Sequence, residues 1–150
     1  MSVAHYETLF GDAAIAGVNH LPQGPADDLL AGAQAAGCLV LHVDFATAHD
    51  KDQMLAILGR SLRFPEWFGH NWDALADCLL DMGWLPAPGY LIILQHCDGI
   101  HGRAEEDFVK LMRVFQEAAD TWREDGVPFW CLVDMQADGI AWLPTVIQPG

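Results

Sequence analysis

Three short apolar runs, CLVLHVDF over Cys38–Phe45, YLIILQ over Tyr90–Gln95 and FWCLVD over Phe129–Asp134, set the architecture of this chain. Each is compact and rich in β-forming residues, so each reads as a strand buried on at least one face. Between them lie stretches with helical spacing. Asp50–Leu62 places Met54, Leu55, Ile57, Leu58 and Leu62 on one face, with Asp50 and Asp52 near its start and Arg60 and Arg63 near its end, where the helix macrodipole favours them. Trp72–Met82 follows Asn71, a good N-cap, and Ala104–Glu124 aligns Phe108, Leu111, Met112, Phe115, Ala119 and Trp122 before Asp125-Gly126 ends it. Strands alternating with helices pair in parallel through crossovers, because a hairpin cannot join parallel neighbours. The prediction is an α/β fold: a small parallel sheet packed by helices.

The first 25 residues are broken by Gly11, Gly17, Pro22, Gly24 and Pro25, and Ala13–Val18 is the candidate edge strand. Ala26–Ala36 reads as a short helix, with Asp27 and Asp28 at the end that favours negative charge and Gly37 placed to stop it. The polar stretch Cys97–Arg103 reads as a loop, and Gln136 onward carries no assignment. One domain is the expectation for 150 residues. A hydrophobic content of 52% excludes the composition of a disordered chain.

Charge narrows the function. Against 21 Asp and Glu stand 7 Lys and Arg, a formal net charge of -14, which opposes binding to nucleic acid or anionic membranes and favours encounter with a basic protein. Cys38, Cys78, Cys97 and Cys131 are widely spaced within mostly apolar segments, as buried free thiols in a reducing compartment would be. With no leader-like segment and no apolar run near membrane-spanning length, a cytoplasmic location is expected.

Asp73, Asp77 and Asp81 recur every four residues, aligning three carboxylates along one face of the Trp72–Met82 helix, with Trp72, Leu75, Ala76, Leu79 and Leu80 expected elsewhere. Like charges at this spacing cost an isolated helix a few tenths of a kcal/mol each, and no basic residue between 64 and 102 relieves them. The bland reading is a solvated face. The preceding loop, RFPEWFGH over Arg63–His70, adds Trp67 and Phe68, and aromatic surface beside carboxylates is the mixture of a binding hot spot. Core packing is the competing role for at least one of the two aromatics.

The run FPEWFGHNWDALADCL, Phe64–Leu79, resembles the signature of the barstar family, intracellular inhibitors of the ribonuclease barnase, and Trp84 falls at a family tryptophan. The likeness extends more loosely over about Cys38–Val133 and implies a barstar-like three-stranded parallel sheet packed by helices. It divides the chain into an N-terminal extension, 1–37, with a short strand and helix packed on the core; a barstar-like domain, 38–135; and a C-terminal tail, 136–150. By resemblance, Trp67, Gly69, Asn71, Asp73 and Asp77 lie in the surface that plugs a nuclease active site, Asp77 taking the place of a substrate phosphate. VFQEA, Val114–Ala118, resembles a segment whose glutamate faces the nuclease, which gives that role to Glu117 unless Arg113 pairs with it. Trp67 stands where the family has a tyrosine, Ala76 where it has a tryptophan and His70 where it has an acidic residue.

The function so implied is an intracellular proteinaceous inhibitor of a basic, barnase-like extracellular-type ribonuclease, acting as an antitoxin or immunity protein acts. The alternative is a barstar-like acidic module for a different basic protein or toxin. No catalytic residue, metal or cofactor is expected. An acid/base pair built from Asp73 and Asp77 needs burial or a neighbour that splits their protonation, which an exposed helix does not supply. Ser2 and Ser61 lack a nucleophile context, and His96, Cys97, Asp98 and His101 match no zinc spacing.

Overall fold

Alternate residues of a strand face opposite sides of its sheet, so a central strand that is apolar throughout needs helices on both faces. The computed structural model, which describes residues 2–66 and 68–135, has this layered form. The chain runs α1 (Val3–Phe10), β1 (Val18–His20), α2 (Asp27–Ala35), β2 (Cys38–Asp44), α3 (Lys51–Ser61), α4 (Trp72–Asp81), β3 (Gly89–Gln95), α5 (Cys97–Arg103), α6 (Glu105–Glu124) and β4 (Phe129–Val133). Four strands form one sheet in the order β1-β4-β3-β2, all neighbours parallel. Pairing sets Leu41 opposite Ile92 and Ile92 opposite Cys131.

The expected three strands are therefore joined by a fourth. The sequence placed an edge strand at Ala13–Val18, but Ala13–Ile15 form a 3₁₀ turn capped by Asp12, and pairing starts at Val18, opposite Cys131. Tertiary bonds decide this. Gln116 Oε1 accepts the Val18 N–H at 3.1 Å, and the Cys131 N–H donates to the Gly17 carbonyl at 3.1 Å.

One face of the sheet presents Leu91, Ile93, Trp130 and Leu132 to Tyr6, Leu9 and Phe10 of α1 and to Leu29 and Ala33 of α2. The Phe10 ring meets the Trp130 ring edge-on at 5.2 Å, and the indole N–H donates to the Phe10 carbonyl at 3.1 Å. α1 crosses α2 at Gly32, where an added Cβ would lie 2.3 Å from Tyr6 Cβ, so only glycine permits this approach.

The opposite face presents Leu41, Val43, Tyr90, Ile92, Leu94, Phe129, Cys131 and Val133 to α3, α4, α5 and α6. The segment Cys97–Arg103, expected as a loop, is helical. Its Cys97 and Ile100 are buried in this core, and its first N–H, on Cys97, donates to the Asp134 carbonyl at 3.2 Å. Before it, His96 adopts a left-handed conformation (φ 56°) and its Nδ1 lies 2.8 Å from Asp44 Oδ1, linking the ends of β3 and β2. All four cysteines are free and buried. The C-terminal tail, 136–150, lies outside the described residues.

Candidate partner-binding site

Asn71 starts the site by starting its helix. Its Oδ1 accepts the Ala74 N–H at 2.7 Å, satisfying one of the amides an α-helix leaves open at its N-terminus. Its Nδ2 also reaches the carbonyl of Gly69 at 3.4 Å, so one side chain ties the loop to α4. His70, between them, is left-handed (φ 52°), as is Arg63 (φ 57°) at the other end of the loop. Two non-glycine residues in that region mark a loop whose course is imposed by its surroundings.

Phe68 supplies the imposition. It is buried, meets Phe64 at 4.8 Å and His70 at 4.8 Å, and lies against the backbone of α3 at Gly59. Of the two loop aromatics, Phe68 thus takes the core role. Trp67 lies outside the described residues.

From this anchored start α4 buries Leu75, Cys78 and Leu79 and exposes Asp73 and Asp77. Asp81 is exposed as well, but its Oδ1 accepts the Gly83 N–H at 3.1 Å, where Met82 ends the helix in a left-handed conformation. Among the described residues the carboxylates of Asp73 and Asp77 enter no ion pair. Beneath them, the Cys78 thiol is pushed up to about 11, by burial first and then by the charges of Asp77 and Asp81.

The sequence reading set Leu80 apart from the acidic stripe, yet Leu80 is 43% exposed. At about 100° per residue it falls within about 20° of Asp73 around the helix, between Ala76 and Asp77. A helical wheel alone would have found it; its apolar side chain suggested burial instead. The exposed face of α4 therefore carries Leu80 beside the carboxylates of Asp73, Asp77 and Asp81.

α6 brings the remaining candidate. Glu117 is exposed, and the alternative pairing with Arg113 does not form: among the described residues neither side chain enters an ion pair. A cleft of about 440 Å³ between α4 and α6 is lined by Asn71, Trp72, Asp73, Lys110, Arg113, Val114 and Glu117. The structure thus brings Asn71, Asp73 and Glu117 to one cleft, with Asp77 one turn further along α4 and Gly69 just before it. An exposed surface with free carboxylates, a leucine and a half-buried tryptophan is suited to grip a cationic macromolecule by charge and apolar area.

His96, Cys97, Asp98 and His101 do not gather: Cys97 is buried with its Sγ on the Leu94 carbonyl at 3.2 Å, while His96 turns to Asp44. Among the described residues no group of three His, Cys, Asp or Glu side chains is placed to hold a metal ion, and no helix is long and apolar enough to cross a membrane.

A family model described as Barstar (barnase inhibitor) matches residues 38–134, which run from the first residue of β2 to just past β4. No curated protein matches the chain.

Proposed function

Since the chain belongs to the barstar family, we propose that it inhibits a basic ribonuclease inside the cell by plugging that enzyme's active site with α4 and the loop before it. Asp77 and Asp73 face the arginine, lysine or histidine side chains of the nuclease's phosphate pocket, and Asp77 occupies the place of a substrate phosphate. Glu117 adds a third carboxylate from α6. Asn71 and Gly69 offer amide and backbone contacts, and Trp67 and Leu80 supply apolar area. Substrate is excluded by occupation of its site, and the chain performs no catalysis of its own.

The observation that carries this reading is the exposed pair Asp73 and Asp77, unpaired among the described residues, on a helix inside the matched family segment. A net charge of -14 adds long-range attraction for a cationic enzyme.

The test is a titration of the purified protein into a secreted microbial ribonuclease of the barnase type, following RNA cleavage, with Asp77→Ala alongside. Stoichiometric loss of cleavage is expected from the native chain, and an inhibition constant at least a hundredfold weaker from the variant, as for a charged hot spot worth several kcal/mol. Equal inhibition by both proteins removes Asp77 from the mechanism. No inhibition by either turns the search to other basic proteins or toxins.

A further inference from the structure

Two of the chain's seven basic residues, Lys110 and Arg113, stand inside the acidic site. On α6, Arg113, Glu117, Lys110 and Val114 fall within an arc of about 100°, and all four line the cleft that Asp73 closes from α4. Both cations are exposed, and among the described residues neither enters a hydrogen bond or ion pair through its side chain. Two of the other arginines are employed: Arg103 donates to the Ala48 carbonyl, and Arg123 donates to the Ala16 carbonyl and to Asp120.

Unpaired cations at this place oppose the docking of a purely cationic surface. They weaken the local negative potential, and a like charge brought against them is repelled as water leaves the interface. From this conflict, and resting on the inhibitor reading above, we infer that Lys110 and Arg113 are specificity residues that select a ribonuclease carrying a carboxylate at the rim of its cationic pocket. The matched surfaces then alternate in sign: carboxylates of Asp73, Asp77 and Glu117 against the partner's cations, and Lys110 and Arg113 against its carboxylate. A basic protein lacking that carboxylate is disfavoured at the same two positions, which is how an interface discriminates by repulsion as well as attraction.

The test uses opposite signs for the two effects of charge. Lys110→Gln with Arg113→Gln removes two positive charges and takes the net charge from -14 to -16, so long-range attraction alone makes the variant associate faster and bind more tightly. Against the same barnase-type ribonuclease, measured by stopped-flow association and displacement, the inference expects slightly faster association but dissociation about tenfold or more faster, for a net loss of affinity. Arg113→Lys, which keeps the charge, should retain most of the native residence time. Native binding that the double variant equals or exceeds overturns the inference and leaves the inhibitor reading standing. Absence of binding by the native chain overturns both.

Discussion

The indole Nε1 of Trp122, on α6, donates to the backbone carbonyl of Leu79, on α4, at 2.8 Å. The last carbonyls of an α-helix have no partner within it, so this bond satisfies an open acceptor and fixes the acidic helix to the long one at the same time. The ring is also stacked on Phe129 at 6.3 Å, with 1° between planes. Trp122→Phe keeps most of that packing and deletes the bond. We expect a loss of about 1 to 2 kcal/mol, read as a lower urea midpoint at unchanged slope. A midpoint equal to the native one rejects this role for the indole.

Asn71 separates capping from contact. Asn71→Ala leaves the Ala74 amide without its partner and should cost about 1 kcal/mol, whereas Asn71→Asp keeps an acceptor and sits favourably at a helix N-terminus. Thermal unfolding of the two variants measures the cap: the alanine protein is expected to melt a few degrees lower and the aspartate protein close to native. Equal melting of both variants below native removes the cap from the explanation.

What could be read from the sequence follows how local each signal was. The strands at Cys38, Tyr90 and Phe129 and the helices at Asp50, Trp72 and Glu105 were legible because burial on both sheet faces, or on one helix face, writes itself into successive residues. β1 was not, since Asn19 and His20 carry no strand signal and pair only because β4 offers an open edge. α5 holds two glycines and has no side-chain cap, so its helix comes from the burial of Cys97 and Ile100. α1 passed unnoticed because eight residues with three buried ones make too short a period to recognise. At the site, the carboxylate spacing on α4 was plain and Leu80 lay on the same side of the wheel, but the pair Lys110 and Arg113 required the assembled surface.

The linked pair at the strand ends gives a pH signature. The Asp44 carboxyl is lowered from its ordinary 3.8, first by the hydrogen bond from the Ala46 amide and then by His96. The His96 imidazole is raised from its ordinary 6.5 by its hydrogen bond to Asp44 and by that residue's charge. The lowered carboxyl stabilises the fold above pH 3.8 and loses that contribution as pH falls through its folded value. The raised imidazole contributes fully below pH 6.5 and loses its contribution as pH rises through its folded value. The pair is thus complete between those limits. Proton NMR should show His96 titrating above 6.5 in the native chain and lower in Asp44→Asn. An unchanged midpoint in the variant excludes Asp44 as the cause.

Phe10 probes the layer built by the first helices. It is fully buried and pinned against Trp130. Phe10→Ala should cost about 3 to 5 kcal/mol, measured by denaturant unfolding, although every residue of the acidic cleft lies on the other side of the sheet. A loss below about 1 kcal/mol shows that this layer contributes little to holding the sheet.

The same contact orders events in time. Phe10 and Trp130 are 120 residues apart in the chain, and β1 finds its neighbour only in β4. A ribosome making this protein releases α1, β1 and α2 long before the strand that completes their seat has emerged, so their apolar surface waits without a cover. Closure over so long a span is slow compared with local helix formation. During that delay α3 and α4 already have the means to form, Asn71 cap included, while both layers of helices wait for β4 to complete the sheet they cover.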